Sequence, residues 1–382
     1  MTPFIPYGRQ LIDDEDEAAV LAVLRSEYLA QGPATKAFEA DIASYVDAKH
    51  CVAVSSATAG LHIAMAALDL SGGEGITSPN TFVATSNAMA YVGLDPVFAD
   101  IDPETFNLSP AAARAAVTER TRLIAPVHFA GLPADMEALS LVAQDHGLTM
   151  IEDAAHAIGS DYVSGGRVGN GRFSAMTVFS FHPVKSMTTG EGGAITTNDD
   201  ALYERLMLLR SHGITRDPAR LSEAPGSWWY EQHLLGFNYR MTDIQAALGS
   251  SQLRKLDRFA ARRREIIAQY RAGLAGVNWL TLPSDAAEQR VCYHLFVGRF
   301  DFAAMGRTRA EVMAALAAEG VGSQVHYIPV YRQPWYAARQ GDQVGRFAAS
   351  EAYYDQCLSL PLYPAMSNED VERVIAAVRG LA

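Results

Sequence analysis

Four lysines occur in the 382-residue chain, and Lys185 stands apart from the other three. It lies in FSFHPVKSMTTGEGG (residues 179–193), among apolar, small and turn-forming neighbours. Such surroundings desolvate an amine and lower its pKa, which readies it to form an imine with a carbonyl carbon. A lysine reaching from a loop into water would give the same local pattern. Lys36, Lys49 and Lys255 sit among polar or charged residues and read as solvated surface charges.

Three further stretches carry residues suited to chemistry. SSATAGLHIA (residues 55–64) puts small residues between a strand and a helix start. Backbone amides exposed there, with the helix dipole and the Thr58 hydroxyl, make a phosphate cup, although Ser or Thr in this place also serves as an ordinary helix cap. No GxxxxGK[ST] or GxGxxG accompanies it, so a nucleotide P-loop or dinucleotide fingerprint is not indicated. MIEDAAHAIGS (residues 150–160) ends an apolar strand in Glu152-Asp153, with His156 three residues on. A carboxylate at that place can keep a pyridine nitrogen protonated and so make a heterocycle an electron sink; equally, it can cap the next turn. NTFVATSNA (residues 80–88) offers Phe82 just inside a helix start, either to stack on a flat ligand or to join the core. Taken together, an amine, a phosphate cup, a stacking ring and an acidic partner for a ring nitrogen are what pyridoxal 5′-phosphate (PLP) requires.

The elements that must gather these residues are legible from the alternation of β-rich and helical runs. Strands are predicted at 51–56, 75–79, 95–101, 122–129, 148–153, 175–181 and 192–198, and helices at 12–26, 34–46, 59–68 and 81–91. Further helices fall at SPAAARAAV, with Ser109 as N-cap and Pro110 at the first helical position, and at DMEALSLVAQDHG. This order implies a largely parallel sheet covered on both faces, in which ligands bind beyond the carboxyl ends of the strands. Ser55–Thr58, Asn80–Phe82, His128, Asp153, His156, Ser180, His182 and Lys185 all follow predicted strands and would meet at one edge. After Thr242 a long helix without proline begins, and CYHLFVGRF (strand), TRAEVMAALAAEG (helix), SQVHYIP (strand) and SNEDVERVIAAVRGL (helix) follow. The chain is therefore expected to form a large α/β domain, residues 1–240 with an N-terminal arm, and residues 241–382 as a connecting helix and small α+β domain.

Composition limits the function classes. Hydrophobic residues make up 49% and charged residues 19%, an ordinary globular balance. The formal net charge of −12 argues against a nucleic-acid partner. Cys51, Cys292 and Cys357 form no metal-ligand spacing and no disulfide framework, and no metal is expected. The N-terminus lacks the basic-then-apolar pattern of a signal peptide, and no window reaches the length of a membrane span. A soluble cytoplasmic protein is the expectation.

The sequence resembles the sugar-nucleotide aminotransferases of the DegT/StrS family, which have the aspartate-aminotransferase fold (PLP fold type I). The likeness spans nearly the whole chain and is carried by GPATKAFEADIASYVDAKHCVAVSSATAGLHIAMAAL, EDAAHAIG, FSFHPVKSMTTGEGGAITTND and GFNYRMTDIQAALGSSQL. The resemblance implies that Lys185 is the imine-forming lysine and general acid–base. It likewise implies that Asp153 pairs with the pyridine nitrogen, that His156 approaches the ring hydroxyl and that Phe82 stacks on the ring. Thr58, Ala59 and Ser180 would hold the phosphate, joined by Asn238 from the partner subunit of a homodimer. Many relatives carry Gln at the His156 position and SGT where this chain has SAT.

Within the family, SSATAG, DAAHA, FHPVK and GFNYRMTDIQAALG are most similar to the pseudaminic-acid branch. That branch transfers an amino group, expected to come from L-glutamate, to C4 of UDP-2-acetamido-2,6-dideoxy-β-L-arabino-hex-4-ulose, giving UDP-4-amino-4,6-dideoxy-N-acetyl-β-L-altrosamine. Tyr7, His326 and Tyr327 are then candidate substrate contacts, and Arg240 could meet the nucleotide diphosphate or bridge subunits. The alternative substrates are UDP-4-keto-6-deoxy-GlcNAc and dTDP-linked 4-keto-6-deoxyhexoses. Sugar dehydratases of the same fold typically replace the lysine with histidine, whereas this chain keeps Lys185.

Overall fold

All seven predicted strands of the first 200 residues form. In the computed structural model, which describes residues 3–284 and 290–381, β1 (His50–Val54), β2 (Glu74–Thr77), β3 (Asp95–Phe98), β4 (Thr121–Ala125), β5 (Thr149–Asp153), β6 (Met176–Ser180) and β7 (Gly193–Thr197) join in one sheet. Their order is β1-β7-β6-β5-β4-β2-β3. Only β7 runs against its neighbours; it pairs antiparallel with both β1 and β6, and the remaining pairs are parallel. Alternate residues of one strand enter different cores: Cys51 and Ala53 join Phe38, Ile42, Ile124 and Phe179, while Val52 and Val54 join Leu61, Leu123, Ile151 and Val178. A sheet buried on both faces needs apolar side chains on both, which is why these strands read as nearly continuous apolar runs.

The helices covering it are α1 (Asp14–Leu24), α2 (Pro33–Val46), α3 (Ala57–Ala67), α4 (Ala84–Tyr91), α5 (Pro110–Ala115), α6 (Met136–His146) and α7 (Asp200–Arg210). Ser109 caps α5 with Pro110 in the first turn, as its sequence requires. α4 begins two residues after Phe82, which therefore stands in the loop leading to the helix rather than inside its start.

α8 (Asp243–Leu274) is a single helix of 32 residues, opened by a capping box in which Thr242 and Gln245 satisfy each other's backbone amides. Its Leu256 and Ala260 pack in the core that holds Phe38, whereas Ile266, Ile267, Tyr270 and Leu274 pack in another. A two-stranded hairpin, β8 (Ile214–Thr215) with β9 (Glu231–Gln232), precedes it. Beyond it, β10 (Leu280–Thr281), β11 (Phe296–Phe300) and β12 (Cys357–Leu360) form a second, antiparallel sheet. α9 (Arg309–Ala318), α10 (Pro334–Gln340), α11 (Ala348–Gln356) and α12 (Asn368–Arg379) complete the chain.

Two expectations need correction. SQVHYIP is not a strand: its backbone makes a single bridge to β12, Gln324–Ser359. Its backbone bonds elsewhere, with the Tyr353 hydroxyl donating to the His326 carbonyl at 2.6 Å, and just past it the Val330 N–H donates to the Pro79 carbonyl at 3.0 Å. Lys255 is not a solvated charge either. It is 6% exposed and ion-paired with Asp13 at 2.5 Å and Asp16 at 2.7 Å, clamping α1 to α8. Lys36 and Lys49 are exposed, and all three cysteines are buried and unpaired. Among the described residues, no helix is long and apolar enough to cross a membrane.

Candidate active site

Beyond the carboxyl ends of β1, β5 and β6 lies a cavity of about 860 Å³. Its wall brings together Tyr7, Thr58, Phe82, Asp153, His156, Ser180, Lys185, His326 and Tyr327. The residues from the sheet meet there because a parallel sheet delivers successive strand ends to one edge, while Tyr7, from before α1, and Tyr327, 320 positions later, join them from outside the sheet.

The turn from β1 into α3 is the cup expected to take a phosphate. Ser56 is the N-cap, and its side chain accepts the Ala59 N–H at 3.1 Å. Ala59 is thereby removed from the cavity wall: its amide is occupied and its side chain is buried. Ala57 and Thr58, at the first two helical positions, have no carbonyl one turn earlier to receive their N–H groups. Both residues line the cavity, as do Ser55 and Ser180. Gly193 of β7 lies against this turn, and a Cβ added there would stand 2.7 Å from the Ala57 nitrogen and 2.8 Å from the Ser56 carbonyl carbon. A helix N-terminus, a place that favours anions, thus meets the open space and is held by a glycine that admits no side chain.

Asp153 closes β5 and is 5% exposed. Thr85 Oγ1 donates to its Oδ2 at 2.6 Å, and Ala155 N–H donates to its Oδ1 at 3.0 Å. Thr85 is held in turn by Thr81, one helical turn away, at 3.2 Å. The adjacent Glu152 points the other way. It is wholly buried and receives His128 Nε2 and the Tyr162 hydroxyl at 2.7 Å, Ser174 Oγ at 2.5 Å and Thr177 Oγ1 at 3.2 Å. These hydrogen bonds, with the His128 charge interaction, outweigh burial and keep the Glu152 carboxyl below its usual range.

Lys185 follows β6 after a short turn in which its N–H donates to the His182 carbonyl at 2.9 Å. Burial pulls its amine down to about 8, against the opposing pull of the Asp153 carboxylate. Below it, the buried guanidinium of Arg263 donates to the backbone carbonyls of Leu362 at 2.8 Å and of Lys185 and His294 at 3.4 Å each. Four imidazoles line the cavity, those of His156, His182, His294 and His326. Burial, with the Lys185 charge second, holds His326 down to about 3 and His156 well below its ordinary value; burial and the neighbouring His156 do the same for His294.

Phe82 lines the cavity and remains 59% exposed, its ring 6.2 Å from that of Tyr327. Asn238 and Arg240 lie outside the wall. Their segment runs beside the end of β1, with a bridge between Val54 and Arg240 and a 2.8 Å bond from Ser55 N–H to the Tyr239 carbonyl. Asn238 is exposed, and Arg240 borders a separate cavity of about 510 Å³ with Lys36, Lys49 and Arg210. Thr85, Glu191, His294 and Gln324 were missed by sequence reasoning. Thr81 and Thr85 at i, i+4 were the one local sign available for the Asp153 support.

An amine held near neutrality, a fixed carboxylate and a free helix N-terminus define a site able to carry PLP chemistry on a type I fold. A sequence profile of the DegT/DnrJ/EryC1/StrS aminotransferase family matches residues 10–379, and the chain belongs to that family. It is a PLP-dependent sugar aminotransferase. The spore coat polysaccharide biosynthesis protein SpsC of Bacillus subtilis (strain 168) is 42% identical over 382 residues, covering 99% of this chain and 97% of that protein. Helicobacter pylori PseC, an aminotransferase involved in the biosynthesis of pseudaminic acid, superposes with a TM-score of 0.92 at 31% identity over 99% of each chain. Spr1654 of Streptococcus pneumoniae in its PLP form gives 0.90 at 28% identity, covering 99% of this chain and 98% of that one. The same protein is also known in the pyridoxamine (PMP) form, the other state between which a transaminase alternates.

Proposed function

We propose that the enzyme transfers the amino group of L-glutamate to C4 of UDP-2-acetamido-2,6-dideoxy-β-L-arabino-hex-4-ulose, forming UDP-4-amino-4,6-dideoxy-N-acetyl-β-L-altrosamine. The observation that carries the chemistry is the meeting of Lys185, Asp153 and the α3 N-terminus in one cavity. The likeness to PseC and the motifs of that branch support the substrate.

PLP, when bound, supplies the aldehyde that takes up the amino group and the ring that accepts an electron pair. The Ala57 and Thr58 amides, the Thr58 hydroxyl and Ser180 hold its phosphate, and the helix dipole favours that charge. Asp153, fixed by Thr85 and Ala155, would keep the ring nitrogen protonated, and Phe82 would serve as the stacking partner of the ring. Lys185 Nζ takes the proton from Cα of the donor and, in the second half-reaction, delivers one to C4 of the sugar. Tyr7, His326 and Tyr327 line the side on which the sugar enters. Asn238, exposed and outside its own cavity, reaches the partner's phosphate in a homodimer, and Arg240 beside it meets the nucleotide diphosphate or the partner. Unpaired buried cysteines suit a reducing compartment, and we assign the reaction to the cytoplasm.

The test follows the absorbance of the cofactor-bound protein. L-Glutamate should convert it to the pyridoxamine form; after the donor is removed, the L-arabino UDP-hexulose alone should restore the starting spectrum with a 4-amino-altrosamine product. Restoration by UDP-4-keto-6-deoxy-GlcNAc or a dTDP-4-keto-6-deoxyhexose instead would leave the chemistry standing and overturn the substrate. That second reading is kept because of the 42% identity to SpsC, whose name places it in spore coat polysaccharide biosynthesis.

A further inference from the structure

Ala130 occupies the centre of the turn Phe129–Gly131 with a left-handed backbone, φ 57° and ψ 9°. This conformation aims its N–H at His156, whose Nδ1 accepts it at 3.2 Å, while the Ala130 carbonyl accepts the His294 N–H at 2.9 Å. On the other side of the imidazole, Nε2 lies 3.2 Å from the Tyr327 hydroxyl. An Nδ1 that accepts a hydrogen bond carries no proton, so the neutral ring must hold its single proton on Nε2. Were Nδ1 protonated, two N–H groups would face each other across 3.2 Å in a buried place. The Tyr327 oxygen is therefore the acceptor of the His156–Tyr327 bond, and its own proton is left over.

We infer that the Ala130 amide sets the tautomer of His156 and thereby the polarity of Tyr327, making the Tyr327 hydroxyl a hydrogen-bond donor directed at an oxygen of the bound ligand. This rests on the aminotransferase reading of the cavity and adds a direction to it. Among the described residues, the Tyr327 hydroxyl has no other recorded partner, and the residue lines the cavity between His156 and Phe82. Burial pushes the phenol well up and His156 well down, so one stays protonated and the other neutral through the working pH range. The acceptor is an oxygen of one of two sources: the ring oxygen of PLP or an oxygen of the keto sugar.

Nitrogen-15 imidazole spectra of the cofactor-free protein, with the His156 signals identified by their loss in His156→Gln, read the tautomer directly. The expected result is a neutral Nε2–H ring from pH 6.5 to 8.5. An Nδ1–H tautomer or an imidazolium there overturns the inference, whatever the substrate proves to be. Tyr327→Phe removes the hydroxyl alone. A shift of the cofactor-bound absorbance assigns the bond to the ring oxygen. An unchanged spectrum with KM for the keto sugar raised roughly tenfold or more assigns it to the sugar. If neither changes, Tyr327 donates to no ligand and the inference falls. Failure of every keto sugar to react would count against the proposed substrate, while the tautomer would still be read in the cofactor-free protein.

Discussion

Lys185→Met should stabilise the cofactor-free protein while abolishing transamination. Burial pulls the amine from 10.5 to about 8. A base whose folded pKa is depressed weakens the fold wherever it is protonated in both states. That penalty is complete below the folded pKa, and it is relieved as pH rises from about 8 toward 10.5, where only the unfolded chain keeps the proton. The difference corresponds to a factor of roughly 300 in proton affinity, or about 3 kcal/mol at pH 7, falling to about 1.5 kcal/mol at pH 9.5. For a chain of this length, 3 kcal/mol is a Tm rise of roughly 4 °C. Thermal and urea denaturation of wild type and Lys185→Met, run at pH 7 and 9.5 and equal protein concentration, measure it. The same shift leaves about a tenth of the amines neutral at pH 7, against roughly three in ten thousand for an ordinary lysine, which is the functional return on the lost stability. A variant no more stable than wild type at pH 7, or a gain equal at both pH values, would refute the argument.

Thr85→Val removes the 2.6 Å donor to Asp153 without changing side-chain volume; kcat should fall roughly tenfold or more in steady-state assays, because the loss of a hydrogen bond to a charged group is worth about 1.5–3 kcal/mol. Gly193→Ala drives a methyl group into the Ser56–Ala57 backbone, so equilibrium dialysis should show PLP held at least roughly tenfold more weakly, with the N-terminal turn of α3 displaced. Glu152→Gln replaces a wholly buried carboxylate that four donors surround and should cost about 3 kcal/mol at pH 7 by urea denaturation. Its slope against pH has the same sign as that of Lys185, stability rising with pH in both, but here the charged form supports the fold instead of weakening it. A depressed carboxyl contributes stability above its unfolded pKa and loses it as pH falls through the folded one, so the wild-type advantage should shrink in acid below about pH 4.5.

The sequence by itself determined the large sheet and its helices. Seven apolar runs of strand length, separated by capped amphipathic stretches, leave little freedom: parallel strands must be covered on both faces, and their carboxyl ends must share an edge. For the same reason Asp153, at the end of a strand, and Lys185, His156 and Thr58, each just past one, could be expected in one place from the sequence. Tertiary structure decided what depends on partners distant in sequence. Lys255 lies in a charged helical run, and only the docking of α1 buries it against Asp13 and Asp16. SQVHYIP has strand composition, but it makes a single bridge to β12 and its His326 carbonyl accepts the Tyr353 hydroxyl instead of a ladder amide. Ala59 sits one residue beyond Thr58 in the same motif, yet Ser56 claims its amide. The polarity of Tyr327 rests on a left-handed alanine almost 200 residues earlier, and a hydrogen bond across that separation leaves no trace in local pattern.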